Sequence, residues 1–141
     1  MFLGREVRRM EAIYEIPKKR KAKSLSATQR TIRALREQGC LCDIAEKFNS
    51  HIGPFGARQD LFGFIDIVAI YPEGIVAIQS CAATFQEHYR KIIENETAPE
   101  WLKHGGIELW AWRKVKRVKG GAAMTWKPRI HKFQAADFMG G

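Results

Sequence analysis

The stretch Gly63-Phe-Ile-Asp-Ile-Val-Ala-Ile-Tyr-Pro-Glu-Gly-Ile-Val-Ala-Ile-Gln-Ser-Cys81 contains two apolar runs separated by the turn-forming Pro72-Glu-Gly74. Valine and isoleucine favour extended backbone, whereas proline and glycine favour tight turns. The stretch therefore predicts a hairpin of two strands, residues 64–71 and 75–81. Because the first run is almost wholly apolar, we expect it to be a central strand buried on both faces.

Two polar residues interrupt this hairpin. Asp66 lies within the first apolar run, where an unpaired buried carboxylate costs several kcal/mol, and Gln79 lies late in the second. Pairing of Ile70 with Ile75 across a turn of three or four residues places Asp66 opposite Ile78 or Gln79. Carboxylate and amide oxygens are ligands that Mg²⁺ accepts. The pair therefore predicts a Mg²⁺ or Mn²⁺ site, and the alternative is that neighbouring protein groups satisfy both side chains.

The rest of the chain combines helical and strand patterns. Helices are predicted from Ser26 or Thr28 to Gly39 and over residues 84–95, with a short helix at 99–102. Further strands are predicted at residues 40–48, 107–115 and 124–133. The order α-β-β-β-α-β-β predicts a single α/β domain, residues 25–141, with one mixed sheet flanked by helices.

The charge is concentrated at the two ends of the chain. Residues 1–24 carry a net charge of +5, residues 25–105 carry −2, and residues 106–141 carry +6, which makes +9 in all. Residues 1–24 are expected to form a flexible basic arm that becomes ordered on a partner. The pattern favours a nucleic-acid partner, held on either side of a mildly acidic middle. The alternatives are basic ends that bind other acidic surfaces or that only keep the protein soluble.

Composition narrows the class of protein further. No apolar run approaches the roughly 18 residues that span a bilayer, and the arginine-rich N-terminus does not have the pattern of a secretory signal. Three cysteines do not make a disulfide framework. We therefore expect a cytoplasmic protein with reduced thiols and no membrane partner.

The order of elements, together with Gly63-Phe-Ile-Asp66 followed after twelve residues by Gln79-Ser-Cys81, resembles the PD-(D/E)xK nuclease superfamily. This superfamily includes Holliday junction resolvases and small nucleases of phages and mobile elements. The resemblance covers residues 26–115. It implies a restriction-endonuclease-like mixed sheet, two acidic metal ligands, a lysine that orients or activates water, and magnesium-dependent cleavage of DNA.

Each position of the family motif corresponds to one residue of this sequence. Asp66 corresponds to the defining aspartate, and Gln79 occupies the second ligand position, where Glu or Asp is usual. Cys81 stands in the position of the lysine, and a neutral thiol cannot act as an ammonium does. Gln29 stands where many members have a glutamate. We hypothesise that Lys91, on the following helix, replaces the lysine; the alternative is a solvated or phosphate-binding helix face.

Asp60 precedes Asp66 by six residues, and a bend at Gly63 would bring the two together. Asp60 is then either another metal ligand or a turn residue. The residues expected to contact nucleic acid are all basic: Lys18, Lys19, Arg20, Arg58, Arg90, Arg113, Lys114, Lys127 and Arg129.

Two functions remain open from the sequence. One is a Mg²⁺- or Mn²⁺-dependent DNA endonuclease, and cutting two strands would favour a two-fold homodimer. The other is a non-catalytic DNA-binding module on the same fold whose active site has eroded.

Overall fold

The computed structural model describes residues 24–140, so the predicted arm, with Lys18, Lys19 and Arg20, lies outside the described residues apart from Ser24. In chain order the elements are α1 (Ala27–Glu37), β1 (Leu41–Ile44), β2 (Lys47–Asn49), β3 (Ala57–Gln59), β4 (Ile67–Tyr71), β5 (Gly74–Ala82), α2 (Phe85–Ile93), α3 (Ala98–Leu102), β6 (Gly106–Lys116) and β7 (Met124–Lys132), followed by a 3-10 helix (Ala135–Phe138).

The main sheet has five strands in the order β1-β4-β5-β6-β7. β5 and β6 are parallel, and the other neighbours are antiparallel. Ile70 lies opposite Ile75 across the central hairpin, which confirms the predicted pairing. The backbone amide of Asp66 donates to the carbonyl of Ile78 at 2.9 Å, one step beyond the last paired residues of β4. The α/β class with one mixed sheet flanked by helices is therefore confirmed.

α1 begins with a reciprocal cap. The backbone amide of Gln29 donates to Ser26 Oγ at 3.1 Å, and the backbone amide of Ser26 donates to Gln29 Oε1 at 3.0 Å. This capping box satisfies two amides that a helix start would otherwise leave without partners. Gln29 therefore serves the helix start, and it does not contact Asp66 or Gln79 through these bonds.

The core has a layer on each face of the sheet. α1 covers one face with Ile32 and Leu35, which pack with Trp110 and Trp112. The indole of Trp112 also donates to Thr31 Oγ1 at 2.8 Å. Both tryptophans therefore belong to the core, with 3% and 7% of their surfaces exposed. α2 and α3 cover the other face, where the buried residues are Phe64, Ile65, Ala77, Cys81, Ile92, Ala98, Ile107, Leu109, Ala111 and Phe133.

Two predicted strands were wrong in their extent. Residues 40–48 do not form one strand: β1 ends at Ile44, and β2 pairs with β3 in a separate two-stranded sheet. The predicted strand 64–71 begins only at Ile67, because the chain turns at Phe62 and Gly63, where φ is +53° and +81°. The order therefore contains two strands more than predicted, and these lie between β1 and β4. The short α3 was predicted.

None of the helices in the described part of the chain has both the length and the apolar character required to cross a membrane.

Candidate metal centre

Three carboxylates converge beside the start of β4. Ligand oxygens of Glu46, Asp60 and Asp66 all lie within 4.8 Å of one another. Asp60 directly follows β3 and Asp66 directly precedes β4, and the turn at Phe62 and Gly63 brings these two together. Glu46 lies at the same end of the sheet because β1 pairs with β4, with Ile44 opposite Ile67. The residues that follow β1 are therefore placed beside the start of β4. The prediction that a bend at Gly63 joins Asp60 to Asp66 is confirmed.

Asp66 is the most buried of the three carboxylates, with 4% of its surface exposed. Its Oδ2 accepts from Gln79 Nε2 at 2.6 Å, from the backbone amide of Ser80 at 2.9 Å and from Ser80 Oγ at 3.2 Å. Ser80 Oγ also lies 2.9 Å from Thr28 Oγ1, at the start of α1. Bonds from adjacent residues of β5 thus fix this carboxylate, and α1 supports one of the donors.

Gln79 is 3% exposed, and its Oε1 is buried without a hydrogen-bond partner. Among residues 24–140 it is the one buried side-chain oxygen or nitrogen in this condition. A buried polar atom without a partner costs about 1–3 kcal/mol, and such atoms in folded proteins point to a missing partner or to a functional role. A half-turn of the amide would exchange Oε1 with Nε2, the atom that now faces Asp66. The three carboxylates are hard oxygen donors of the kind that Mg²⁺ and Mn²⁺ accept, and the half-turn would add the amide oxygen of Gln79 to them.

Lys91 reaches the same cluster from α2. Its Nζ lies 2.8 Å from Asp60 Oδ2, with 43% of the lysine side chain and 16% of the aspartate side chain exposed. Cys81, in the motif position of the lysine, is 5% exposed and packs in the core beneath α2. Lys91 thus brings an ammonium group to Asp60 from α2, while the motif position of the lysine holds a buried thiol.

The carboxyl groups of Asp66 and Asp60 differ in their affinity for protons. Burial, followed by the hydrogen bond with Asp60, raises the pKa of Asp66 to about 8. Burial also opposes ionisation of Asp60, but hydrogen bonds from Asp66 and Lys91 outweigh it and lower the pKa of Asp60. Without a cation, Asp66 therefore holds the proton and Asp60 carries the charge. A divalent cation would displace that proton, since metal ligands bind in their deprotonated forms.

Arg58 occupies the outer side of the cluster. Its Nη1 lies 2.9 Å from Glu46 Oε1, and its side chain is 69% exposed. The arginine lines two open clefts. A cleft of about 420 Å³ is bounded by Arg58, Gln59, Asp60, Gly63 and Lys91. A cleft of about 680 Å³ lies between the start of α1 and Glu46, and it is lined by Ser24, Leu25, Ser26, Thr28, Gln29, Ile44, Glu46 and Arg58. Asp60 and Glu46 thus each border an open cleft, whereas Asp66 lies buried behind them.

The other basic residues named from the sequence divide between the two faces of the sheet. Arg113 pairs with Lys127 across β6 and β7, and Arg129 follows two residues later on the same face, with its guanidinium 3.6 Å from the ring centroid of Phe85. Lys114 lies on the α1 face, with its ammonium 5.4 Å from the ring centroid of Trp126.

Arg90 is exposed on α2. A polyanion on the α2 face would therefore meet Arg113, Lys127 and Arg129, whereas Lys114 belongs to the opposite surface.

Sequence reasoning missed Glu46 and Ser80. Glu46 lies within the predicted strand 40–48, and no local signal shows that the chain leaves the sheet there. Ser80 did carry a signal, because Gln79-Ser80 is a polar step in an otherwise apolar strand.

Comparison of the chain with protein-family models, curated proteins and solved structures finds no match.

Proposed function

We propose that the protein is a magnesium-dependent DNA endonuclease of the PD-(D/E)xK kind. One observation carries the proposal: three carboxylates meet at the end of a central hairpin, beside a buried glutamine oxygen that has no protein partner. Carboxylates gathered to this extent repel one another unless protons or cations lie between them. In the absence of a cation, the proton on Asp66 and the ion pairs of Asp60 with Lys91 and of Glu46 with Arg58 reduce this repulsion. A divalent cation would replace that proton and bind the three carboxylates together.

The connectivity of the main sheet supports the proposal. α1 and β1 are followed by the β4–β5 hairpin, then by α2 and by β6, which is parallel to β5. This is the order of helix, strand, hairpin, helix and strand on which the resemblance rests, with β2 and β3 as an insertion. Asp66 and Gln79 occupy adjacent strands at one end, as the motif requires.

The residues of the centre have two roles, metal binding and positioning of a ligand. Asp66, Asp60 and Glu46 would hold Mg²⁺, with Gln79 Oε1 as a further ligand after the half-turn of its amide. When bound, magnesium polarises a phosphoryl group and lowers the pKa of water. Ser80, which donates two hydrogen bonds to Asp66, is a positioning residue for that carboxylate.

Lys91 supplies the positive charge that Cys81 cannot. Burial raises the pKa of the Cys81 thiol, which therefore stays neutral. Lys91 lines the open cleft that also contains Arg58 and Asp60, and a phosphodiester bound there would lie beside its ammonium group. A fixed cation there stabilises the charge that develops on the phosphate during cleavage. Cytoplasmic location, a DNA partner and a homodimer belong to the same proposal.

A second function is favoured by one observation: the motif positions of the second carboxylate and the lysine hold Gln79 and Cys81. A protein with these residues could bind DNA on the same fold without cutting it.

A plasmid-nicking assay separates the two functions. Supercoiled plasmid is incubated with magnesium and with the wild type, Asp66→Asn or Asp43→Asn, the last being an exposed carboxylate on β1. We expect Asp66→Asn to lose at least about 100-fold in rate, which corresponds to about 2.7 kcal/mol of lost transition-state stabilisation, and Asp43→Asn to cut normally.

The nicking rate of Lys91→Met should fall by a comparable factor. Lys103→Met is the matched control and should cut normally, since Lys103 forms an exposed ion pair next to α3. Cleavage that survives Asp66→Asn would refute the catalytic proposal. Salt-sensitive DNA binding with no cleavage by the wild type would support the second function.

A further inference from the structure

The segment 47–59, which we call the ribbon, projects from the metal centre. Its strands β2 and β3 pair with each other and belong to no other sheet. Glu46 immediately precedes the ribbon and Asp60 immediately follows it, so two of the three clustered carboxylates flank its base. Any polymer bound at the carboxylates therefore passes close to the ribbon.

The loop of the ribbon carries apolar side chains in water. Phe55 is 90% exposed, Phe48 is 60% exposed and Ile52 is 36% exposed. A two-stranded ribbon alone is at best marginally stable, and an exposed phenylalanine adds nothing to its folding. Phe55 is thus available to a partner.

The shape of the ribbon is nevertheless fixed by its own contacts. The ring of Phe48 packs against Gly56 so closely that any side chain at position 56 would collide with it, and Gly56 also has φ of +76°. Asn49 Nδ2 donates to Gln59 Oε1 at 3.2 Å, and the backbone amide of His51 donates to Asn49 Oδ1 at 2.9 Å. Phe48 thus supports the ribbon, which leaves Phe55 as its most exposed apolar residue.

The charge of the ribbon identifies the class of its partner. Residues 47–59 contain Lys47 and Arg58 and no aspartate or glutamate. Arg58 pairs with Glu46 at the base of the ribbon, but 69% of its side chain is exposed. A cationic surface with an exposed aromatic ring suits a polyanion that has flat apolar faces, which describes nucleic acid. Aromatic side chains stack on bases irrespective of sequence, and apolar side chains inserted between base pairs unstack the duplex. A second copy of the ribbon would meet it with charge of the same sign.

We propose that the ribbon is a wedge for double-stranded DNA, in which Phe55 inserts between base pairs next to the phosphate bound at the metal centre. This inference rests on the proposed function for the position of the DNA. It extends that function by assigning the contact with the bases to a segment distinct from the carboxylates and from Lys91.

The test compares the full-length wild type, Phe55→Ala and Met139→Ala with calcium in place of magnesium. Met139 is 80% exposed and lies after β7, so it matches Phe55 as an exposed apolar residue. The probe is a short duplex containing 2-aminopurine, whose fluorescence rises when a base is unstacked. Affinity is measured by anisotropy, and thermal unfolding checks that the variants fold.

We expect Phe55→Ala to bind about 5- to 30-fold more weakly, in line with the stacking of one aromatic ring, and to lose the 2-aminopurine signal. Met139→Ala should behave as the wild type, and Phe55→Trp should keep both the affinity and the signal. Equal affinity and equal signal for Phe55→Ala and the wild type would overturn the proposal. So would self-association without DNA that depends on Phe55, or tight binding of single strands with no binding of the duplex.

The two proposals fail in distinguishable ways. Normal magnesium-dependent nicking by Phe55→Ala, with unchanged DNA affinity, would refute the wedge and leave the endonuclease intact. Binding that depends on Phe55, with no cleavage by the wild type, would refute the endonuclease and leave the wedge as part of a binding module.

Discussion

Gln79 Nε2 donates a 2.6 Å hydrogen bond to Asp66 Oδ2 across the central hairpin, between residues thirteen positions apart in the chain. The same amide leaves its oxygen buried and without a partner. In the observed orientation the amide donates to Asp66, and a half-turn would present its oxygen to a cation instead, so the two orientations suit a metal-free and a metal-bound site.

The stability of the metal-free protein should fall as pH rises toward 8. The pKa of Asp66 is raised from 3.8 to about 8, so between these values the folded state binds more protons at this site than the unfolded state does. The contribution of Asp66 is therefore fully present below pH 3.8 and lost as pH rises through about 8. Asp60 has a lowered pKa, so its contribution to stability is present above its unfolded pKa of 3.8 and is lost as pH falls below that value.

Thermal unfolding measured over this range, without metal and with magnesium, checks the prediction. The decline in midpoint should be smaller with magnesium and smaller in Asp66→Asn, whose amide does not titrate. A decline equally steep in Asp66→Asn would show that another group is responsible.

Gln79→Glu should tighten magnesium binding and destabilise the metal-free protein. The new carboxylate would face Asp66, so the two charges repel each other until a cation or a proton lies between them. We expect a roughly tenfold gain in affinity, equivalent to about 1.4 kcal/mol, measured by calorimetric titration with Mg²⁺. Gln86→Glu, an exposed position in the first turn of α2, is the matched control and should change neither quantity. Weaker magnesium binding in Gln79→Glu would exclude Gln79 from the ligand set.

Glu46→Gln should weaken Mg²⁺ binding about tenfold and leave the fold almost unchanged. The loss of one anionic ligand would cost about 1.4 kcal/mol of binding free energy. The ion pair with Arg58 that is lost at the same time has a largely exposed arginine and contributes less than about 1 kcal/mol. Glu37→Gln removes a comparable exposed pair with Arg33 on α1 and serves as control. Calorimetric titration of both variants decides the point, and identical Mg²⁺ affinities would place Glu46 outside the centre.

Lys127→Ala should reduce the salt dependence of DNA binding. Lys127 is exposed on β7 opposite Arg113, on the face of the sheet that α2 covers. Each phosphate contact that is lost lowers the slope of log affinity against log salt by about 0.9. Anisotropy titrations at several salt concentrations measure this slope, with Lys103→Ala as the control on α3. If both variants keep the wild-type slope, the phosphate backbone does not contact this row of residues.

Much of the hairpin and its chemistry could be predicted from local sequence. Pro72-Glu-Gly74 restricts the turn, and the β-branched residues on either side restrict the register, so Ile70 pairs with Ile75 and Asp66 meets Gln79. These are short-range pairings, and their chemistry depends on residue type and spacing. The helix start at Ser26 is local for the same reason.

Tertiary structure alone decided the rest of the centre. Glu46 joins the carboxylates because β1 pairs with β4, a contact between segments more than twenty residues apart whose free energy is not encoded in either segment alone. The bend at Gly63 that brings Asp60 to Asp66 was predicted, but the turn also needs positive φ at Phe62, a conformation that no local rule assigns to phenylalanine. The contact of Asp60 with Lys91 joins segments about thirty residues apart and depends on where α2 packs. Residues 40–48 divide between two sheets because β1 pairs with β4 and β2 pairs with β3. The choice of pairing partner, and not local strand propensity, decides this division. Local sequence thus determined the residue types and the hairpin, and long-range packing determined that three carboxylates, an amide oxygen and an ammonium share one site.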